Sequence, residues 1–190
     1  MKNILIVSGH TDLNNSVANK KILEELSKKL PNAEIDYLSE LYPDYKINIE
    51  EEQNKLLKAD IIILQYPVFW YSMPSLLERW MEETFKHGFS HGATGDKLKD
   101  KKLIVSLTTG APEEAYDSID NYLNPIKATC KLCNMEYIGK IVTYGVSYQI
   151  RNDKGKEIEG KAFNHANRLI EIIKKYRSWL YEINLRIWKC

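Results

Sequence analysis

The chain has 190 residues, 44% of them hydrophobic and 28% charged, which is enough for one domain with a full core. Its formal net charge of +1 argues against a nucleic-acid or anionic-membrane partner held through bulk charge. The opening stretch Met1–Ser8 is too short an apolar run for a signal peptide, and no run is long enough to span a bilayer. A soluble, cytoplasmic protein is therefore expected.

Strand and helix patterns alternate. Ile4 to Val7 is an apolar strand that leads into Gly9-His10. Ser16 to Leu30 carries Val17, Ile22, Leu23, Leu26 and Leu30 at helical spacing. Ala33 to Leu38 alternates like a strand, and Glu50 to Lys58 is a short helix. Asp60 to Tyr66 holds the solid run Ile61-Ile-Ile-Leu64, the mark of a strand buried on both faces. Pro67 cannot donate to a ladder and closes it. Phe69, Trp70 and Tyr71 then stand where the chain leaves the sheet. Pro74 to His87 reads as a helix with Pro74 in its first turn and Leu76, Leu77, Trp80 and Met81 as its buried stripe. Lys102 to Leu107 is a fourth strand, Ile119 to Asn134 is mostly helical, Met135 to Tyr144 is a fifth strand, and Gly160 to Tyr176 a final helix. This alternation implies right-handed crossovers, hence an α/β fold with helices on both faces of a doubly wound parallel sheet. Five strands fit the flavodoxin-like order 2-1-3-4-5, with its switch point between strands one and three. Residues 1–176 are expected to form that domain and 177–190 a helical extension.

Three loops would then share one rim. After strand one, Ser8 to Asn19 is polar and ends at a helix start, with Ser16 as a natural N-cap. The backbone around Ser16, Val17, Ala18 and Asn19, with His10 beside it, forms either a phosphate cradle or a plain turn. It is neither G-x-G-x-x-G nor a P-loop, which disfavours nucleoside triphosphate hydrolysis. After strand three, the amides and aromatic faces of Pro67 to Tyr71 either edge a flat heterocycle or cover the core. After strand four, Ser106-Leu-Thr-Thr-Gly-Ala-Pro112 offers hydroxyls and N–H groups suited to ring carbonyls and nitrogens, or is an ordinary turn with Gly110 at positive φ. Jointly, the three point to a ligand site.

Three cysteines make no disulfide framework. Cys130 and Cys133 form a C-x-x-C at the end of a helical pattern, not at a helix start where the dipole would lower a thiol pKa, and no second pair or nearby histidine completes a metal set. They read as two small half-buried residues; Cys190 is terminal. No metal site is expected. Lys97 to Lys102 reads as a solvated strand entry. Tyr176, Trp179, Leu180, Ile183 and Ile187 continue an apolar stripe that wants a surface on this domain or on a second subunit.

The chain resembles the flavodoxin-like NAD(P)H:quinone oxidoreductases, including the ancillary flavoproteins of glutathione-gated potassium-efflux systems. The matching pieces are Gly9-His10 with Ser16-Val-Ala-Asn19, Leu41-Tyr-Pro-Asp44, Pro67-x-x-Trp-Tyr-Ser-x-Pro74, His87-Gly-Phe89 with Gly92, and Leu107-Thr-Thr-Gly110. The resemblance implies a flavin, with FMN favoured by the short chain and FAD left open, and a ping-pong cycle in which NAD(P)H delivers hydride and a quinone or similar acceptor takes it. It places His10, Ser16, Val17, Ala18 and Asn19 at the phosphate end. Pro67, Val68, Phe69 and Trp70, with Thr108, Thr109, Gly110 and Ala111, would hold the ring. Tyr116 falls where mammalian quinone reductases place a tyrosine that balances charge on the reduced flavin, so it is the candidate catalytic helper. Their histidine six residues further on is Tyr122 here. The loop Gly88–Gly95 would help wall the acceptor pocket, across a homodimer interface in many relatives, with Tyr71, Phe89 and His91 as candidate substrate contacts. Two other roles belong to the same resemblance: a regulatory subunit on a membrane transporter, and a one-electron carrier. The acid-poor loops 67–74 and 108–112 disfavour the carrier.

Overall fold

The computed structural model describes residues 3–147 and 151–187, with the side chains of the last helix described over 155–176. Five parallel strands, β1 (Ile4–Ser8), β2 (Glu34–Tyr37), β3 (Ile61–Pro67), β4 (Lys102–Thr108) and β5 (Glu136–Thr143), form one sheet in the order β2-β1-β3-β4-β5. This is the expected order. β3 lies in the middle and every residue of it is buried, as an unbroken β-branched run requires.

Alternate strand residues feed two cores. Ile4, Ile6, Ile61, Ile63, Ile104 and Ile141 face α1 (Val17–Lys29) and α6 (Arg151–Ile187). Leu5, Val7, Ile62, Leu64, Leu103 and Val105 face the other way, toward α2 (Leu38–Leu41), α3 (Ile49–Lys58), α4 (Ser75–Thr84) and α5 (Asn124–Leu132). The period of two along each strand fixes this division. Among the described residues no helix is long and apolar enough to cross a membrane.

Several boundaries differ from expectation. Pro74 is the N-cap of α4, not a first-turn residue. Cys130 and Cys133 are free and fully buried at the end of α5, and burial pushes the Cys130 thiol up to about 11, which keeps it protonated and inert. α6 begins at Arg151 rather than at Gly160 and runs through both Gly155 and Gly160. Each helical glycine costs about 1 kcal/mol relative to alanine, yet burial of Ile158, Ala162, Ala166, Leu169 and Ile173 overrides that local preference. The backbone of α6 continues to Ile187; Cys190 and the side chains of Trp179, Leu180, Ile183 and Ile187 lie outside the described residues.

The α3 side hides a charged network that no local pattern announces. Glu52 is fully buried and accepts from Trp80 Nε1 at 2.6 Å and from Tyr42 OH at 2.7 Å. Lys55 Nζ bridges Glu52 Oε1 at 2.7 Å and Asp36 Oδ1 at 2.9 Å, and so ties α3 to β2. One cation faces two buried carboxylates, with the exposed Glu51 at 3.6 Å as a third. Asp36 bears the imbalance: desolvation and the nearby Glu52 push its carboxyl up to about 7 against the pull of Lys55, and its Oδ2 is buried without a hydrogen-bond partner. A folded-state value raised above the unfolded one gives stability that is complete below the unfolded pKa of about 3.9 and is lost as pH rises through about 7. Asp36→Asn, which keeps the side chain neutral, is therefore expected to raise the unfolding free energy by about 1–3 kcal/mol at pH 8 and by much less at pH 5, read from urea titrations. An equal shift at both pH values would show that Asp36 does not titrate in this range.

Candidate functional site

The carboxyl ends of β1, β3 and β4 meet on one rim, where a switch in strand order leaves a crevice. A cleft of about 450 Å³ opens there, a size ordinary for a cofactor site. His10, Ser16, Val17, Ala18, Asn19, Pro67, Val68, Phe69, Thr108 and Gly110 all line it.

The floor of one end is the start of α1. Ser16 caps the helix: its Oγ receives the Asn19 backbone N–H at 3.2 Å and the Asn19 Nδ2 at 3.0 Å. Two incoming donors leave the hydroxyl hydrogen of Ser16 to donate elsewhere. The Val17 and Ala18 amides sit in the first turn, where no intrahelical acceptor exists. His10 stands beside them. Its Nδ1 accepts the Asp12 backbone N–H at 3.0 Å, so the neutral ring carries its hydrogen on Nε2. Burial holds the His10 pKa below its ordinary value, with Asp12 pulling partly the other way. The Asp12 carboxylate accepts Asn15 Nδ2 at 2.7 Å. The end therefore presents a helix start and two neutral donors, the chemistry of an anion seat.

The other end is flatter and less polar. Val68 N–H continues the ladder to the Thr108 carbonyl at 2.8 Å, which holds Pro67–Phe69 against the end of β4. The Phe69 ring meets His10 edge-on, with centroids 6.0 Å apart. Gly110 does not have the positive φ considered for it; the glycines that do are Gly88, Gly92, Gly139 and Gly145. A Cβ at Gly110 would meet only Ser147, at 3.8 Å, so neither backbone strain nor protein packing demands a glycine. Its bare Cα borders the cleft instead, where a side chain would take up ligand space. By contrast Gly9 is a packing residue: a Cβ there would lie 2.8 Å from the buried Leu77 side chain.

Other expected residues lie elsewhere. Thr109 is buried with its hydroxyl donating to the Ala111 carbonyl at 2.7 Å, so it shapes the loop rather than facing the cleft. Ala111, Trp70, Tyr71 and Tyr116 line a second, smaller cavity of about 200 Å³ beside Val68, which borders both. No charged residue lines it. Tyr71 packs on Tyr116 and Tyr122 with ring centroids at 6.1 and 5.2 Å, and Tyr144 packs on Tyr116 at 6.0 Å. Phe89 lines a different cavity, against α3, and His91 pairs with His87 at 5.6 Å between ring centroids and with Ser90 Oγ at 2.9 Å. Neither reaches the cleft or the tyrosine cavity within one subunit.

Sequence reasoning missed Val146, Ser147 and Ile158 on the cleft wall. The first two follow the end of β5 as a Gly-Val-Ser turn, a usable signal; Ile158 gave none, because it lies on a turn of α6 interrupted by glycines. Also missed were the inner supports. Asn19 Oδ1 accepts Gln65 Nε2 at 2.6 Å and the Thr108 hydroxyl at 3.1 Å.

Comparison with known proteins agrees with the architecture. A family model described as the flavodoxin-like fold matches residues 2–166. Among solved structures, general stress protein 14 of Treponema denticola, in complex with FMN, superposes with a TM-score of 0.80 at 24% identity, over 90% of this chain and 99% of that one. A structure described as a thermophilic tryptophan halogenase from Streptomycin violaceusniger gives 0.77 at 29% identity, over 85% and 95%. An NADPH-quinone reductase from P. pentosaceus gives 0.70 at 24% identity, over 87% and 98%.

The aromatic turn carries a strain of its own. Phe69 and Ser72 exchange backbone hydrogen bonds of 3.0 and 2.9 Å, and the two residues between them, Trp70 and Tyr71, have φ of 50° and 63°. That is the geometry of a two-residue primed turn, which favours Asn and Gly. Trp70 is 95% exposed, so little packing compensates. Trp70→Asn is expected to stabilise the fold by roughly 0.5–1 kcal/mol, measured by chemical denaturation, because asparagine tolerates left-handed φ. Unchanged or lower stability would show that the tryptophan is held by contacts rather than tolerated under strain.

Proposed function

Since the chain belongs to the flavodoxin-like fold family, we propose that it is a flavin-dependent NAD(P)H:quinone oxidoreductase that binds FMN in the cleft between the ends of β1, β3 and β4. The observation that carries this reading is the polarity of the cleft. An anion seat at the start of α1 shares the cleft with a less polar edge made by Pro67–Phe69, Thr108 and Gly110. The FMN held by the stress protein with which the chain superposes, and the activity named for the P. pentosaceus reductase, support the same choice.

The flavin would supply the two-electron chemistry, accepting hydride from a nicotinamide and returning it to an acceptor. The protein's part is position and shielding. Ser16 would donate its hydroxyl hydrogen to the phosphate, with the Val17 and Ala18 amides beside it and the His10 Nε2–H in reserve. Asn19 orients Ser16 and does not itself need to touch the ligand. Gly110 would leave room for the ring edge, and the half-exposed Phe69 would border it. The neighbouring cavity, walled by Trp70, Tyr71, Ala111 and Tyr116, carries no charged side chain and suits a flat uncharged acceptor such as a quinone. Tyr116 is the candidate catalytic helper there, with Tyr71 the other hydroxyl-bearing residue on the wall. With Tyr122 in place of a histidine, the chain offers phenols rather than an imidazole to a proton on that side. Phe89 and His91 keep a role in acceptor binding only through a second subunit, in a dimer where the Gly88–Gly95 loop of one copy meets the cavity of the other.

Anaerobic mixing of the FMN-loaded protein with NADH and with NADPH tests the proposal. Rapid, complete bleaching of the flavin by at least one nucleotide is expected, followed by full recovery of colour with one equivalent of a benzoquinone. Bleaching by dithionite alone, with neither nucleotide effective, would remove the reductase reading and favour an electron carrier.

A further inference from the structure

His165 has no part in the site as described. It is fully buried on α6, outside both cavities. Its Nε2 lies 2.8 Å from Ser106 Oγ on β4, and its Nδ1 lies 2.8 Å from Thr143 Oγ1 on β5. Burial, with the Arg168 charge adding to it, pushes its pKa down to about 3, so the ring is neutral at any working pH. One nitrogen then donates and the other accepts, and each hydroxyl can rotate to match. A buried imidazole needs both nitrogens satisfied, and here each is satisfied by a different strand.

What those two hydroxyls anchor is the cleft wall. The Thr143 carbonyl accepts the Thr109 N–H at 2.9 Å; the Thr109 carbonyl accepts the Val146 N–H at 3.0 Å; the Ala111 carbonyl accepts the Gly145 N–H at 2.9 Å. These three bonds zip the loop after β4 to the segment after β5, and the zipped pair carries Gly110, Val146 and Ser147 along the cleft. Ile158, about two turns earlier on the same helix as His165, lines the cleft too. A leucine could fill the volume of His165 and keep α6 packed. The imidazole adds a fixed spacing between two strand hydroxyls just beneath the zip.

We infer that His165 is a positioning residue for the cofactor seat: its bond to Thr143 holds the zipped loops at the separation the cleft needs, and its bond to Ser106 fixes the ring. The ligand in this inference rests on the flavin reading; the loop geometry does not.

Amide hydrogen exchange on the full chain, together with FMN titration of the flavin-free protein, tests it with three variants. His165→Leu removes both bonds. His165→Asn keeps a polar atom at the position of Nδ1, toward Thr143, and His165→Gln keeps one at the reach of Nε2, toward Ser106. In the leucine variant, exchange of the Thr109, Gly145 and Val146 amides should rise by about tenfold or more while β1 amides keep their protection. FMN binding should weaken by about tenfold, and the asparagine variant should stay within about threefold of wild type in both readouts. A leucine variant that folds, keeps the three amides protected and binds FMN normally overturns the inference. If the leucine variant does not fold, the amide pair decides: protection kept with asparagine and lost with glutamine supports it, and equal behaviour of the two overturns it. Wild-type protein that binds no FMN overturns the functional reading instead, and exchange at the three amides still decides the role of His165.

Discussion

The side-chain amide of Asn19 is the contact on which the site depends. It is 3% exposed and reaches three elements at once. Its Nδ2 donates to Ser16 Oγ on the cap of α1, and its Oδ1 accepts from Gln65 on β3 and from Thr108 on β4. Removing one partner of such a bond inside a core costs about 1–3 kcal/mol, more than an average hydrogen bond contributes, because the remaining group is left dry and unpaired. The amide therefore fixes register as well as adding stability. The start of α1 is thereby tied to the ends of β3 and β4, and that tie sets its distance from the Pro67–Phe69 edge of the cleft.

Asn19 belongs to a wider polar layer beneath the rim. Ser8, Gln65 and Ser106 are neighbours across β1, β3 and β4, all buried, and His165 and Thr143 continue the layer toward β5. Below it both cores are aliphatic and aromatic. A fold that needed only stability would carry its apolar core up to the loops. Polar groups here give direction that apolar contacts lack, and they hold three loops of otherwise free conformation around one cleft. Gln65 Oε1 has no hydrogen-bond partner, a local cost accepted where its Nε2 must face Asn19. The charged network of Asp36, Glu52 and Lys55 lines the α3 side of the sheet, outside the cleft, and there joins α3 to the edge strand β2.

Local signals carried much of this in the sequence. Ser16 reads as a cap because the helix start is encoded within four residues, and the buried run Ile61–Leu64 identifies the central strand without reference to the rest of the chain. Strand order followed from alternation and handedness. The residues that could not be read are those defined by long-range partners. Asn19 and Gln65 are 46 positions apart, Asn19 and Thr108 are 89 apart, and nothing in either neighbourhood marks the pair. Trp70 looked like a ring contact because it is aromatic and follows a strand; the primed turn, which depends on φ and not on residue type, turns it out of the cleft and into solvent beside the second cavity. Ile158 was lost because Gly155 and Gly160 break the pattern of a helix that tertiary packing holds together. Phe89 and His91 were assigned from a loop that, in this chain, packs away from both cavities.

Under the proposed function, position and shielding are the protein's main contribution to a flavin's chemistry. A crystal structure grown with FMN tests that most directly. The account predicts the phosphate within hydrogen-bonding distance of Ser16 Oγ and the Val17 and Ala18 amides, the ring edged by Pro67–Phe69 and Thr108–Gly110, and Asn19 unmoved. A flavin seated elsewhere on the chain, or a cleft that stays empty at saturating FMN, would contradict it.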